Sequence, residues 1–228
     1  GTVAGALVGG IPATKYGRKK TLLWIGILYL LSAIGSAIAP DVYTFMAFRL
    51  LGGFAIGASS VVAPMYITEI APAKNRGKLV ATFQFNIVFG ILMAYFSNYL
   101  LQGVGGDSSW RLMLGIVAIP TLIYPILVLF VPESPRRLIV HKGDYDTARK
   151  TLEVSDPSGV DEAIAALHQS IDQDSHKESL AAFFSKRFTV PIFIAIMIAV
   201  FNQMSGINAI IYFAPLVFEL AGIDKHGA

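Results

Sequence analysis

Three carboxamide side chains stand close together in a long apolar run near the end of the chain. Asn202, Gln203 and Asn208 lie in the stretch 200–215, and Tyr212 follows them. Polar side chains are costly in hydrocarbon, so they face a bundle interior or a wet cavity. Amides present paired donors and acceptors without carrying a charge. The stretch therefore predicts a binding site for a neutral, polyhydroxylated ligand, with the ring of Tyr212 stacking on its apolar face.

These amides can converge on one ligand only if the helix that carries them is distorted. At about 100° per residue, Asn208 lies about 140° from Gln203 around an unbroken helix. Gly206 and Pro215 both weaken a helix, and transporters place their sites where membrane helices are broken. We therefore expect a distortion near Gly206.

Two charged residues mark opposite ends of another apolar run. Arg49 and Glu69 are 20 residues apart, which is about 30 Å along a helix. We predict that Arg49 points inward, because the glycines of 52–57 favour close helix packing. The alternative is that it snorkels to the outer surface. Glu69 can pair with Arg18 or Arg76, or it can be a simple interfacial charge.

A further amide, Gln84, lies in the apolar run 79–101. Gly90 follows it and permits the close approach of another helix. An intramembrane Gln contacts a ligand or forms a hydrogen bond between helices, and the sequence leaves both interpretations open.

The composition is that of a membrane protein rather than of a soluble domain. Of the 228 residues, 54% are hydrophobic and 14% are charged, against about 25% charged in a typical soluble domain. The long apolar runs indicate an all-α, polytopic membrane protein. There is no cysteine, and His141, His168 and His176 lack a metal-binding spacing. Because no nucleophile stands beside a base, we predict no enzyme activity, no cofactor and no metal.

The apolar runs predict six membrane spans, of which the first is partial, and we interpret the chain as a fragment. The spans are 1–13, 21–39, 43–67, 79–101, 111–131 and 188–221. Within the polar stretch 132–187, the patterning over Asp144–Glu153 and 160–171 predicts short amphipathic helices, the alternative being a solvated linker. The predicted domains are 1–131, 132–187 and 188–228.

The charge of the short loops predicts the orientation of the chain. Loops 14–20 and 72–78 hold seven Lys and Arg residues and no acid. The positive-inside rule places such loops in the cytoplasm. The stretch 132–187 then lies on the same side, because an even number of spans separates it from them. Since orientation explains the basic loops, they do not indicate binding to nucleic acid.

Several motifs, found in order, resemble the sugar porter family of the major facilitator superfamily, from helix 2 to helix 7 of its twelve helices. The family patterns are RxGRR, PxYxxExAPxxxRG, PESPR and QQxSGxN followed by a Tyr pair. The matching stretches are Lys15-Tyr16-Gly17-Arg18-Lys19, Pro64 to Gly77, Pro132-Glu133-Ser134-Pro135-Arg136, and Gln203 to Asn208 with Tyr212. The resemblance covers nearly the whole chain and implies part of a major facilitator fold, which has two six-helix halves.

The resemblance also implies roles for individual residues. Sugar contacts are expected at Gln84, Gln203 and Asn208, to which we add Asn202 and Tyr212. The cytoplasmic charge network that latches the outward-facing state is expected at Arg18, Glu69, Arg76, Glu133 and Arg136. Arg49 falls where proton-coupled members pair an Arg of helix 4 with an Asp of helix 1.

The sequence departs from the family pattern at three positions. Thr14 stands where the family has Asp or Asn, which puts one latch contact in doubt. Asn202 replaces the first of two Gln residues and is one methylene shorter, so it can shift sugar preference or admit a water. Phe213 replaces the second Tyr and removes a hydroxyl.

The favoured function is the transport of a monosaccharide, a hexose or a pentose, across the plasma or inner membrane by alternating access. We favour symport with protons. The alternatives are uniport and a non-transporting sugar sensor on the same fold, and helix 1, which would distinguish symport from uniport, is not in the sequence. The expected partners are a neutral sugar, protons and the lipid bilayer, with no nucleic acid, and a monomer suffices.

Overall fold

The computed structural model describes residues 1–71, 75–102, 104–155, 160, 164–165, 186–206, 209–210, 212–213 and 216. Two compact units make up the chain, Gly1–Ile171 and Asp172–Ala228.

Long helices dominate the first unit. In chain order they are α1 (Thr2–Tyr16), α2 (Arg18–Ile38), α3 (Val42–Ile70), α4 (Arg76–Leu101), α5 (Ser109–Gly115) and α6 (Ala118–Phe130). Four helical segments of the described chain are long and apolar enough to cross a membrane: Arg18–Ile38, Val42–Ile70, Gly77–Leu101 and Ser109–Phe130. These confirm the four full spans predicted between residues 21 and 131, with ends a few residues away from the predicted ones. At 15 residues, α1 is shorter than a full span.

The segment 14–20 differs from the polar loop that we predicted. Helix α1 continues to Tyr16 and α2 begins at Arg18, so Gly17 alone separates them. Gly17 has φ 95°, a conformation that residues with a side chain rarely adopt. The flanking Lys and Arg residues are good helix formers, and a single glycine is therefore enough to turn the chain.

The predicted span 111–131 is also not a single helix, because α5 ends at Gly115 and α6 begins at Ala118. Pro120 lies in the first turn of α6. A proline has no N–H, and in the first turn of a helix that missing donor leaves no intrahelical hydrogen bond unmade. Pro120 is therefore compatible with the start of α6, but it does not by itself account for the break, because Pro125 lies inside the same helix.

Asp41 caps the N-terminus of α3. Its carboxylate accepts hydrogen bonds from the Thr44 N–H (2.9 Å) and the Thr44 hydroxyl (2.7 Å). An Asp at this position satisfies a donor that the first helical turn leaves unpaired. These hydrogen bonds hold the pKa of Asp41 below its ordinary value, and the one from the Thr44 N–H has the largest effect.

Helices α1, α2, α3 and α6 form the core of the first unit. Glycines of α1 bring it against α3: a side chain at Gly5 would collide with the backbone of Phe54, and one at Gly9 with Ala58. Such small residues let membrane helices pack closely. The buried core residues are Ala13, Leu22, Ile25, Ala55, Ala58, Val62, Tyr66 and Val128. The side chains described for α4 are nearly all exposed.

After α6 the chain forms a compact helical turn outside the predicted spans. A short helix α7 (Pro135–Arg137) leads into a π-helical turn (Leu138–Lys142), and α8 (Tyr145–Ser155) follows. Leu138, Ile139 and Ala148 pack together as a small apolar cluster. Helix α8 matches the amphipathic helix predicted over Asp144–Glu153, whereas most of the second predicted helix, 160–171, lies outside the described residues.

In the second unit, α9 (Lys186–Met204) contains a shorter apolar helix, Thr189–Met204. Gly206 follows it with φ 73°, and the Ile210 N–H donates to the Gly206 carbonyl (3.1 Å). The predicted distortion near Gly206 is therefore confirmed: the helix stops at Met204 and helical hydrogen bonding resumes beyond the glycine.

Candidate functional site

A group of bonded charges in the described part of the chain lies where the junction of α1 and α2 meets the ends of α3 and α6. We call it the charge cluster: Arg18, Glu69, Glu133, Ser134 and Arg137. The Arg18 guanidinium forms an ion pair with the Glu69 carboxylate (Nη2 to Oε1, 2.8 Å). The Ser134 hydroxyl donates to the other oxygen of Glu69 (2.5 Å). Both charged side chains are only 12% exposed, and Ser134 is fully buried.

A second ion pair completes the cluster. The Arg137 guanidinium pairs with Glu133 at 3.4 Å, and it lies against Gly17, so any side chain at that glycine would strike it. The turn at Gly17 thus provides both the chain reversal and the space for Arg137. The resemblance implies Arg136 as a member of the cytoplasmic charge network, and Arg136 is partly buried. It did not identify Arg137 as a member of that network. The spacing of four residues between Glu133 and Arg137, at the start of a short helix, is the sequence signal that could have identified the pair.

Further hydrogen bonds tie the cluster to the helix ends around it. The Tyr66 hydroxyl donates to the Pro132 carbonyl (2.5 Å), and Arg18 donates to the Ala13 carbonyl (3.1 Å). Lys19 donates to the Leu129 carbonyl (2.8 Å) near the end of α6. Cations favour helix C-termini, where carbonyls lack partners. All of these contacts lie within the first unit, so they hold its own helices together.

Three buried polar atoms of the charge cluster have no hydrogen-bond partner within the described part of the chain. They are Arg18 Nε, Glu133 Oε1 and Arg137 Nε. A buried donor or acceptor without a partner is unfavourable and calls for an explanation. The cluster therefore has spare bonding capacity of both kinds. Arg76 begins α4, and its side chain lies outside the described residues.

Ser134, which our sequence interpretation did not single out, is expected to orient Glu69. Replacing Ser134 with Ala should destabilise the full-length protein by about 1.5–3 kcal/mol, because a buried hydrogen bond to a charged group is lost. Thermal unfolding in detergent measures the change. Ser97→Ala is the matched control, since in the described part of the chain its hydroxyl donates to the uncharged Ala94 carbonyl of its own helix. Equal effects of the two substitutions would contradict this role.

Arg49 lies on an exposed face of α3 that also carries Ile56 and Ser60. Among the described residues, no ion pair includes it. A cation on a spanning helix is costly where it faces lipid, so a face that carries Arg49 and Ser60 suits contact with protein or water better. The inward orientation of Arg49 stays a prediction.

The predicted sugar contacts lie on both units. On α4 of the first unit, Gln84 is exposed, and on α9 of the second, Asn202 and Gln203 are exposed in the last helical turn. The Ser205 hydroxyl donates to the Asn202 carbonyl (2.6 Å) and so satisfies a carbonyl where the helix breaks. Tyr212 is 80% exposed, and Asn208 lies outside the described residues.

Comparison with known proteins gives concordant matches. The model of the family described as "Sugar (and other) transporter" matches residues 1–227. The galactose-proton symporter of Escherichia coli (strain K12) is 37% identical over 224 residues, covering 97% of this chain and 47% of the symporter. The D-xylose transporter of Levilactobacillus brevis is 35% identical over 231 residues, covering 100% of this chain and 50% of the transporter.

A solved structure matches as well. The proton:xylose symporter XylE bound to 6-bromo-6-deoxy-D-glucose has a TM-score of 0.83 at 32% identity, over 98% of this chain and 51% of that one. The chain thus spans about half the length of the relatives that it matches. The match along residues 1–227, together with the apolar spanning helices, shows that this multi-pass membrane chain belongs to the Sugar (and other) transporter family, the sugar porters of the major facilitator superfamily.

Proposed function

We propose that the full-length protein moves a monosaccharide, a hexose or a pentose, across the cell membrane by alternating access in symport with protons. The observation that carries this proposal is the pair of exposed amides at the broken end of α9, Asn202 and Gln203, in an otherwise apolar helix. The names of the relatives support it, since they are a galactose-proton symporter and a D-xylose transporter.

The proposed sugar site uses uncharged groups that match the hydroxyls of a sugar. The amides of Gln84, Asn202, Gln203 and Asn208 supply donors and acceptors in pairs, and Tyr212 supplies an aromatic surface. The positive φ of Gly206 supports convergence of the helix-7 amides, because it ends the α9 helix between them. A site without net charge excludes anionic substrates through the cost of burying an uncompensated charge.

The proposed orientation places the segments 14–20, 72–78 and 132–187 in the cytoplasm. The charge cluster then lies at the cytoplasmic end of the first half, where Arg18, Glu69, Arg76, Glu133 and Arg136 are expected to latch the outward-facing state. The spare atoms of Arg18, Glu133 and Arg137 support this role. Partners from the other half of the protein would bind them in one state and release them in the other, while the contacts within the unit persist.

The coupling mechanism depends on Arg49. In the proposed symport, this cation pairs with a carboxylate whose protonation releases it during the cycle. Uniport is the alternative if no such carboxylate exists. A protonophore that abolishes accumulation of sugar against its gradient supports symport, whereas insensitive uptake that only equilibrates sugar supports uniport.

The sugar site is tested by substituting Gln203 with Ala in the reconstituted full-length protein. We expect about tenfold weaker sugar binding, because a polar group of the sugar loses a partner worth about 1–1.5 kcal/mol. Equilibrium binding of labelled sugar measures it. Gln102→Ala, an exposed Gln just after α4, is the control and should leave binding unchanged. Unaltered affinity of the Gln203→Ala protein would contradict the assignment.

A further inference from the structure

The exposed face of α2 is apolar from Trp24 to Ile38. Its exposed side chains follow at alternating spacings of four and three residues, so they form a single stripe. The apolar members are Trp24, Ile27, Leu31, Ile34 and Ile38. From Lys20, which heads the stripe, to Ile38 is about 27 Å along the axis, close to the thickness of a bilayer's hydrocarbon core.

This stripe differs from the exposed face of α3. The α3 face carries the cation Arg49 and the hydroxyl of Ser60, whereas the α2 face carries no polar side chain between Trp24 and Ile38. Polar groups are costly against lipid tails and apolar groups are not. The α2 stripe is therefore the face that suits lipid, and Lys20 and Trp24 are its terminal residues at one membrane surface.

The charge around this end of the stripe is positive and largely uncompensated. Residues 1–40 contain no Asp or Glu. Of the nearby cations, Arg18 is paired with Glu69 and Lys19 donates to the Leu129 carbonyl. Lys20 is exposed, and no ion pair among the described residues includes it. Lys15 lies over the ring of Tyr16 at 5.5 Å, which leaves its charge at the surface.

Trp24 and Lys20 suit a lipid headgroup together. They are one helical turn apart on the same face, about 6 Å along the axis. The indole of a Trp favours the interface between headgroups and tails, because its N–H can reach polar groups while its rings stay in apolar surroundings. A Lys one turn further out extends its ammonium to the headgroup level. Trp24 is 66% exposed, so a lipid can reach it.

We propose that Lys20 and Trp24, with Lys15 nearby, form a binding site for the phosphate of an anionic phospholipid at the surface where α2 begins. Lys20 contacts the phosphate, the Trp24 indole lies at the glycerol level, and the acyl chains run along the apolar stripe of α2. Assigning the lipid to the cytoplasmic leaflet rests on the orientation proposed above. The site itself rests on the charges and the stripe.

The test reconstitutes the full-length protein in vesicles of phosphatidylcholine and phosphatidylglycerol, with bromine on the acyl chains of one lipid or the other. Bromine quenches the fluorescence of nearby indoles. The part of the fluorescence that is lost in the Trp24→Phe protein is assigned to Trp24. We expect phosphatidylglycerol to quench Trp24 preferentially. Lys20→Gln should reduce this preference about fivefold, because one surface cation is lost, and Lys20→Arg should retain it.

The control is Lys150→Gln, which removes an exposed Lys from α8 and should leave the preference unchanged. Equal quenching by the two lipids in the parent protein would overturn the proposal. An equal loss of the preference for phosphatidylglycerol in the Lys150→Gln protein would also overturn it, because it would indicate an effect of general surface charge. Competition by soluble glycerol phosphate would overturn it as well. Sugar binding measured in the same vesicles separates failure of the lipid site from failure of the proposed transport function.

Discussion

Replacing Glu69 with Gln should destabilise the full-length protein by about 3–5 kcal/mol, because it leaves the nearly buried Arg18 without its counter-charge. Arg18 and Glu69 are each 12% exposed and are 2.8 Å apart. The substitution keeps the size of the side chain and its ability to accept a hydrogen bond from Ser134. The loss is therefore one of charge rather than of packing. Thermal unfolding in detergent measures it.

Two controls distinguish this interpretation from a general effect of removing a carboxylate. Glu153→Gln removes an acid of the exposed pair Arg149–Glu153 on α8, and such pairs contribute only about 0.3–0.5 kcal/mol. The double substitution Arg18→Gln with Glu69→Gln should recover part of the lost stability, because no unpaired charge remains. A Glu69→Gln protein as stable as the Glu153→Gln protein would show that the charge cluster does not hold the helix ends together.

Replacing Gly5 with Ala should also cause a large loss of stability. A Cβ atom at this position would overlap the backbone of Phe54 on α3, and backbone cannot move aside as a flexible side chain can. Overpacking of a well-packed contact costs about 1–3 kcal/mol or more. We expect the Gly5→Ala protein to unfold at a lower temperature than the parent protein. On heating, it should also lose sugar binding at a lower temperature than the parent.

Gly10→Ala provides a control on the same helix. No atom of the described residues lies within 4 Å of a Cβ atom at Gly10, so the substitution should be neutral, or should stabilise α1 by up to about 1 kcal/mol through helix propensity. A loss of stability in the Gly5→Ala protein without a loss in the Gly10→Ala protein would locate the effect in the α1–α3 contact. A destabilised Gly10→Ala protein together with an unaffected Gly5→Ala protein would contradict this packing.

The fold was predictable where it depends on local sequence. Apolar run length identifies a spanning helix, because the bilayer imposes a length and requires internal hydrogen bonding. Gly206 was predictable for a similar reason, since its effect on a helix is local. The break between α5 and α6 was not predictable from the apolar run, and Pro120 does not identify it, because Pro64 and Pro125 lie inside unbroken helices.

The parts that were not predictable depend on contacts between distant segments. The contact of Gly17 with Arg137 joins residues that are 120 positions apart in the chain, and the sequence does not reveal it. The choice of Arg18 as the partner of Glu69 likewise depends on how α1, α2 and α3 pack. For Arg49 and Gln84, the sequence indicates that a polar group requires a partner, but it cannot identify that partner from the helix alone.

Exchange of labelled sugar across the membrane of proteoliposomes tests the central claim most directly. The full-length protein should exchange an internal unlabelled hexose or pentose for the labelled external sugar without an imposed proton gradient. Gln203→Ala should slow the exchange at low sugar concentration, and Gln102→Ala should not. An intact, monodisperse protein that exchanges no hexose or pentose would contradict the account, as would one that exchanges sugar equally well after the Gln203→Ala substitution.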